Sequence, residues 1–468
     1  MRPASSPRVH LFAQPPVIGD ARTPAAALGG DLRTGTEDWV MVVAPGQRLC
    51  AGSLERLGQA VTLAPHARVI TADDERRPRV GARARPRLRP GPSPDRWLAA
   101  DPDFGLMAVA REPALEALDE GASPYELFLR LSGPAAAGHA HVPEVLSRGR
   151  GAGGGPEAAR AVATVLSEWE PGARVETVDT GLRVRRPPVG EPAVEAVVGF
   201  RDRADLLERC AASLLERSSY ERLGLRLVDN ASTDSEVPPL LERLGREKLV
   251  TVDRDPRPFN FSALNNAAAA RSNADVLVFL NNDTEVISPG WIEELLEEAL
   301  RPEIGAVAPM LLYPDGRVQH AGVAIGIHGW AGHPFAGLKP DERTAFGAAS
   351  DGTRNWMAVT AACMMVEKRK FDEVGGFDEG FAVAGGDVDL CLRLTAAGYR
   401  SLCVSHVRLL HDESASRDPM AVPAGDFEAS RRSYGALRTV GDPFYHPALT
   451  LRDTSCRLRA PDEGPPAP

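Results

Sequence analysis

The sequence predicts an α/β protein with a mostly parallel central sheet, preceded by a smaller α/β domain built on the same plan. Three observations predict it. From Glu195 onward, short apolar runs alternate with stretches of helical period. Several of those runs end abruptly in Asp and Asn instead of fading into a loop. The N-terminal third repeats parts of the pattern in the same order.

Taken in order, residues 1–30 are rich in Pro and Ala and read as a flexible tail, as do residues 456–468. Residues 31–150 form the first domain, 151–190 a linker with a helix and short strands, and 191–455 the second domain. The glycine run "SRGRGAGGGP" (147–156) formally contains GxGxxG at Gly149, Gly151 and Gly154. No apolar strand is seen to feed it, so it reads as low-complexity linker.

In the second domain "AVEAVVGF" is a strand, and Leu206, Leu207, Cys210, Leu214 and Leu215 recur at helical spacing. "LRLVDN" and "DVLVFL" are further strands. Ser288 and Pro289 suit the cap and first turn of a helix with the stripe Ile292, Leu295, Leu296 and Ala299. "GAVAPMLLY" and "AVTAACMMV" read as strands, and "DVDLCLRLTAAG" as a helix that opens at Asp387 and stops at Gly398. In the first domain "DWVMVVAPGQRL" resembles "DVLVFLNNDTEV", and "YELFLRL" resembles "VDLCLRL". Where the second copy has Asn281, Asn282 and Asp283, the first has Ala44, Pro45 and Gly46; where the second has Asp387, the first has Pro124. A duplicated domain that kept its apolar scaffold and lost its carboxylates accounts for both.

Composition narrows the function classes. With 43% hydrophobic and 25% charged residues in 468, most of the chain is not intrinsically disordered, and the length suits two or three domains. A formal charge of -10 provides no general basic footprint, so nucleic acid is not an expected partner. No apolar run reaches the ~20 residues of a membrane span, and the start lacks a signal-peptide core. A cytoplasmic protein is expected, with peripheral association at the inner face of the membrane left open. The six cysteines lack CxxC spacing and read as small buried apolar residues.

In open α/β sheets, ligands sit beyond the carboxyl ends of the strands, so polar residues that follow strands are the candidates for chemistry. Asp229 and Asn230, with Ser232 and Asp234, follow one strand; Asn281 to Glu285 follow another; Asp387 and Asp389 open a helix after a glycine pair. A carboxylate with neighbouring amides can hold a hard divalent cation, which in turn can clamp a diphosphate. The same residues also form turns and caps, and the sequence alone leaves both readings open. His411 could complete a metal shell at Asp283. Asp387 could take a proton from a hydroxyl.

The ordered set "VVGFRDRADLLERC", "LRLVDNASTD", "FNFSALNNAA", "VFLNNDTEV", "VTAACMMV", "GGDVDLCLRLTAAGYR" and "LLHDESASR" resembles the family 2 glycosyltransferases, above all the bacterial rhamnosyltransferase and O-antigen biosynthesis type. The first domain resembles the degenerate copy of tandem members. The resemblance implies a GT-A fold and inverting transfer from a UDP- or dTDP-sugar to a glycan or lipid-linked acceptor, with Mg2+ or Mn2+. It implies Asp229 against the pyrimidine base, Asn265 or Asn266 near the nucleoside, and Asn281 and Asp283 as the outer positions of the DxD motif. Asp283 and His411 are then the metal ligands and Asp387 the base. Gly199 and Phe200 replace the usual Pro-Thr, Asn281 replaces the first DxD carboxylate, Gly386 replaces the acid before the base, and Asp412 stands where a second histidine is usual. The alternative is a pseudoenzyme that binds a nucleotide sugar or a partner without transfer.

Overall fold

A computed structural model describes residues 9–12, 38–44, 46–76, 84–100, 104–149, 157–179, 181–187, 190–413 and 422–463. They fall into two units. One comprises Met1–Arg185 with Arg343–Gly347 and Pro443–Leu449; the other comprises Arg186–Glu342, Ala348–Asp442 and Thr450–Pro468. Two short stretches of the later chain therefore belong to the first unit.

The first unit's strands are β1 (Val9–Phe12), β2 (Trp39–Val43), β3 (Gln47–Leu49), β4 (Val69–Arg76), β5 (Arg85–Arg87), β6 (Leu106–Ala110) and β7 (His139–Gly149). They form one sheet in the order β1-β2-β6-β4-β7-β3, with β5 on the edge of β4. Its apolar residues bury in two layers, one around Leu127, Phe128 and Val165, the other around Met41, Leu57 and Ile70. Several expectations need correction. Val9–Phe12, assigned to a tail, pairs in parallel with β2; the rest of residues 1–30 lies outside the described residues. The stretch 151–190 carries the helix and short strands expected of it, the helix Glu157–Trp169 and the hairpin β8 (Arg174–Val178) and β9 (Gly181–Arg185), but it is packed rather than a free linker, since Val162, Val165 and Leu166 are fully buried in the first unit. Strand β7 does run into the glycine stretch, as far as Gly149; Gly151 and Gly154 lie outside the described residues.

The second unit is built on β10 (Val194–Phe200), β11 (Leu223–Asp229), β12 (Val250–Arg254), β13 (Val276–Asn281), β14 (Thr284–Val286), β15 (Ile304–Leu312), β16 (Val318–His320), β17 (Ala324–Ile325), β18 (Ala331–Gly332), β19 (Arg354–Trp356), β20 (Cys363–Glu367) and β21 (Arg400–His411). The main path runs β12-β11-β10-β13-β20-β15-β21-β14, with β16 on β15, β19 on β21, and β17 paired with β18 apart from it. The four strands β10 to β13 are parallel, β20 is antiparallel to its neighbours, and β15 and β21 run parallel to each other. Five of the six residues of β13 are buried, as a central strand covered on both faces requires. Phe279 on this strand meets Phe371 and Phe377 at centroid distances of 5.1 and 4.8 Å. The helix expected to be capped at Ser288 begins at Trp291 with Gly290 at its N-cap, and Asn260 caps the helix Phe261–Arg271. The expected C-terminal tail is folded as far as Glu463, whose carboxylate accepts from Thr450 Oγ1 at 2.6 Å, and Cys456 is fully buried. All six cysteines are free, and all but Cys50 are buried.

Each strand of the first sheet has a counterpart in the second, which adds β11, β12 and β19. Order β1-β2-β6-β4-β7-β3 corresponds to β10-β13-β20-β15-β21-β14, with the same parallel and antiparallel senses, and β5 flanks β4 as β16 flanks β15. This register aligns Trp39 with Val276, Gly46 with Asp283, and Gly149 with His411.

Candidate active site

The polar strand ends of the second unit lie at the carboxyl ends of its parallel strands. After Asn281, Thr284 Oγ1 donates to the Asn281 carbonyl at 2.8 Å and turns the chain into β14. There Thr284 pairs antiparallel with His411, and the Asp412 N–H donates to the Asp283 carbonyl at 2.9 Å. Residues 128 positions apart are thereby fixed side by side, with His411 Nε2 3.2 Å from Asp283 Oδ1. Both side chains are about 5% exposed.

The tautomer of His411 follows from its neighbours. Gln319 Nε2 donates to Glu413 at 3.2 Å, so Gln319 Oε1 is the acceptor that faces His411 Nδ1 at 3.1 Å. His411 therefore carries its proton on Nδ1 and turns the Nε2 lone pair toward the carboxylate. Asn281 Nδ2 lies 3.4 Å from that same nitrogen, and Asp283 Oδ1 has no hydrogen-bond partner among the described residues. Two electron-rich atoms facing each other at this distance repel unless a second ring proton or a metal cation stands between them. A histidine whose far nitrogen is fixed by an amide is also the usual outer support of a metal ligand. The donor set of one imidazole and one carboxylate suits a divalent ion such as Mn2+. Gln319 escaped the sequence reading; the only signal was its place beside His320.

At the end of β11, Asp229 is nearly buried and accepts from the Ser232 N–H at 2.8 Å, with Arg254 Nε 3.8 Å from its other oxygen. Next to it, buried Asn230 donates to the carbonyls of Asp255 and Arg257, both at 2.8 Å, and its Oδ1 is without a partner among the described residues. Asp202 accepts from the N–H groups of Thr233 and Asp234, and these bonds lower its pKa. Asp202, Arg203 and Ala231 all have φ between 51° and 58°, so backbone strain is concentrated at these two strand ends. Phe200, in place of the usual Thr, is buried in the core.

Asn265 is buried and donates to the Phe261 carbonyl one turn back at 2.9 Å. Asn266 is engaged elsewhere: it donates to the Phe377 carbonyl and accepts from the Phe377 N–H, both at 2.9 Å. It clamps a peptide, whereas the Asn265 side chain bonds only within its own helix.

The two carboxylates of the helix Gly386–Ala396 have different environments. Asp389 is buried, ion-paired with Arg393 at 2.8 Å and accepting from Ser433 Oγ at 2.7 Å. Asp387 is half-buried; it accepts from Ala361 N–H at 3.1 Å and Val388 N–H at 2.9 Å. Asp387 is therefore oriented yet accessible. The loop before it is held by buried Asp426, whose carboxylate accepts three N–H groups from Ala382, Val383 and Ala384 at 2.8 to 2.9 Å. Gly386 has a steric explanation, since a Cβ there would come within 3.0 Å of Ser262 Oγ and 3.3 Å of Phe381 Cβ.

Within the stretch 315–335, His333 is near enough to Asp387 to feel its charge. Buried His320 and half-buried His333 face each other with their Nδ1 atoms 2.9 Å apart. Burial lowers the pKa of His333, while the charges of Glu413 and Asp387 raise it.

Among the described residues of the first unit, the matching strand ends carry none of these side chains. Gly46 and Gly149 stand where the second unit has Asp283 and His411, and a Cβ on Gly149 would collide with the Gly46 carbonyl oxygen. The strand end that carries a carboxylate and an imidazole in one sheet is filled by close-packed backbone in the other.

The first unit does carry a buried cluster of its own. Asp73 accepts from His446 Nε2 at 2.7 Å and lies 3.2 Å from His141 Nε2. These atoms are close enough to share a metal ion. However, His446 Nδ1 accepts from the Ala448 N–H at 3.0 Å, so the proton of the neutral ring is on Nε2 and points at Asp73. The cluster is a hydrogen-bonded relay that continues through His141 Nδ1 and Thr71 Oγ1 (2.9 Å) to His139 Nε2 (2.8 Å).

Comparison with known proteins gives the following. The glycosyl transferase family 2 model matches residues 196–375. An O-antigen biosynthesis protein of Myxococcus xanthus, RfbC, is 39% identical over 448 residues, covering 91% of this chain and 35% of that protein. The N-acetylglucosaminyl-diphospho-decaprenol L-rhamnosyltransferase of Mycobacterium tuberculosis is 29% identical over 239 residues, 46% of this chain and 74% of that one. The crystal structure of GalNAc-T7 with UDP, GalNAc and Mn2+ superposes with a TM-score of 0.42 at 18% identity, covering 52% of this chain and 48% of that one. The chain spans about a third of the length of RfbC. Among the described residues no helix is long and apolar enough to cross a membrane. Residues 196–375, all but 343–347 of them within the second unit, carry a glycosyl transferase family 2 domain, and that unit has the GT-A fold.

Proposed function

We propose that the second unit transfers a sugar from a nucleoside diphosphate sugar, UDP- or dTDP-linked, to a hydroxyl of a glycan or glycolipid, with inversion, during synthesis of a cell-surface polysaccharide. The observation that carries this reading is the lone pair of His411 turned toward the Asp283 carboxylate at 3.2 Å, at the end of the central strand. A relative named for O-antigen biosynthesis supports the pathway class.

A divalent cation held by Asp283 and His411 would neutralise the diphosphate as it leaves. Asp229 and the free oxygen of Asn230 face the base, with Asn265 nearby, while Asn281 steadies His411. Asp387 accepts the acceptor's proton as its oxygen bonds to the anomeric carbon; the bond to the diphosphate breaks and its electron pair leaves with the nucleotide. One displacement gives inversion. Asp426 and the Ala361 N–H keep Asp387 from swinging away.

We assign the first unit as a degenerate copy without a donor site. The same strand order carries Gly46, Gly149 and Pro124 at the three positions that matter. Release of nucleoside diphosphate from a panel of nucleotide sugars, with Mn2+ and with EDTA, tests the reading. Turnover that EDTA leaves intact would remove the metal from it.

A further inference from the structure

Glu413 lies just past the end of β21, two residues after His411, and is exposed. Its Oε2 accepts two hydrogen bonds, from the Tyr313 hydroxyl at 2.8 Å and from Gln319 Nε2 at 3.2 Å. Burial and the Glu413 charge both push the Tyr313 pKa up, so the phenol keeps its proton and remains a donor. The bond from Gln319 decides which end of that amide meets His411. With Nε2 turned to Glu413, Oε1 faces His411 Nδ1 at 3.1 Å. The two ends of an amide are nearly alike in shape, so its hydrogen-bond partners choose the orientation.

The opposite orientation would let the buried pair satisfy itself. Turned end for end, Gln319 would donate to His411 Nδ1, and the proton of the neutral ring would move to Nε2. From there it would point at Asp283 Oδ1, 3.2 Å away and without a hydrogen-bond partner among the described residues. Carboxylate and imidazole would then share an ordinary hydrogen bond, and the lone pair that a divalent ion requires would be gone. The orientation in the structure does the reverse. It pins a proton on Nδ1 and leaves the pair to be completed by a second ring proton or a cation. Glu413, outside the donor set, is the group that enforces this choice.

We propose that Glu413 is a positioning residue that bars the self-satisfied state: by holding the Gln319 amide it keeps the His411 lone pair on Nε2 and so sets the affinity of the site for a divalent cation. Tyr313 holds Glu413 in place. The proposal rests on the reading of Asp283 and His411 as metal ligands. It separates two quantities that a purely structural residue would move together. Without Glu413 the divalent site should weaken while the metal-free fold does not, because the bonds lost at the surface are replaced by one between the buried side chains of Asp283 and His411.

The test titrates Mn2+ into the full chain, with and without UDP, counting free ion by its electron paramagnetic resonance signal, and records the melting temperature of each metal-free variant. Mn2+ binding that is lost in Asp283→Ala establishes the metal reading by itself. Glu413→Ala should then weaken Mn2+ binding by about tenfold or more, the scale for a lost outer support of a ligand, with the metal-free melting temperature unchanged or raised. Glu413→Gln keeps an acceptor for the Gln319 amide and removes the charge, so it should weaken binding far less. Glu413→Ala/Gln319→Glu should regain most of the loss, because a carboxylate at 319 can only accept from Nδ1 and needs nothing to orient it. No Mn2+ binding to the unmodified chain, even with UDP, would overturn the metal reading and this proposal with it. Binding that depends on Asp283 and survives Glu413→Ala would overturn the proposal alone. So would equal losses in the Ala and Gln variants, which would assign the effect to charge, or a lowered metal-free melting temperature in Glu413→Ala, which would make Glu413 a structural brace. A double variant that recovers nothing would overturn it as well.

Discussion

Replacing Asp387 with Asn separates proton transfer from support of the fold. In the structure both carboxylate oxygens are occupied, one by the Ala361 N–H and one by the Val388 N–H. Asn offers a single acceptor, so its amide must turn an N–H toward one of these donors. Losing one charge-assisted bond costs about 1.5 kcal/mol at a half-buried position, the low end of the range for charged groups. For a unit of this size that is a fall in melting temperature of roughly 3–5 °C. The chemical effect is larger: without a base, turnover should drop by about 10²-fold or more, equivalent to ~2.7 kcal/mol. Donor affinity should change by less than about twofold, because the lost interaction is made mainly in the transition state. Asp389→Asn is the control. Its carboxylate is tied to Arg393 and Ser433, so it should lose stability while the folded fraction keeps its turnover. Initial rates, donor affinity by calorimetry and melting curves for the two variants decide the assignment. Near-normal turnover in Asp387→Asn, or a loss of donor affinity as large as the loss of rate, would refute it.

Gln319→Leu should weaken metal affinity by about 10- to 100-fold, measured as the Mn2+ concentration for half-maximal activity, because His411 would no longer be held in its tautomer. Lys370→Met should destabilise the second unit by about 3–5 kcal/mol in chemical denaturation, because the buried ammonium donates to the carbonyls of Ala299, Arg301 and Ile304, which would lose their partner. His139, buried against Trp97 and Phe128, has its pKa lowered from 6.5 to about 3 by burial, with His141 adding to the effect. Only its neutral form fits the fold, so its stabilisation is present above pH 6.5 and is lost as the pH falls toward 3. Between pH 7 and 4.5 that is a loss of about 3 kcal/mol in the first unit, to be read as faster amide exchange in β4 and β7; His139→Phe should flatten the dependence.

The strand–helix alternation and the polar strand ends were legible because each is written in consecutive residues. β13 is a continuous apolar run since both of its faces are covered, and Asp283 stands at its end for any reader to see. The correspondence between Asp38–Leu49 and Asp275–Val286 held to the residue in the two sheet registers, since a two-residue period leaves no room to slip. What the sequence concealed depends on contacts made across long separations. Gln319 reaches His411 across 92 positions, and Asp426 reaches the Asp387 loop across more than 40. An acid in a helix's first turn, as Asp426 is, has the same local signature as a cap. Asn265 and Asn266 are adjacent and alike in sequence; only the helix, which turns one inward and the other toward the Phe377 peptide, tells them apart. The return of Pro443–Leu449 to the first unit, where His446 meets Asp73, has no local signal at all.

The central claim is a metal-assisted nucleotide site at Asp283 and His411 in the second unit. Its most direct test is thermal stabilisation of the full chain by UDP, dTDP, GDP and their sugars, each with Mn2+ and with EDTA, for the unmodified protein and for Asp283→Ala. The account predicts that at least one pyrimidine nucleotide raises the melting temperature only when Mn2+ is present, and that Asp283→Ala abolishes the shift. The same shift in EDTA, or in Asp283→Ala, or no shift with any nucleotide, would contradict it.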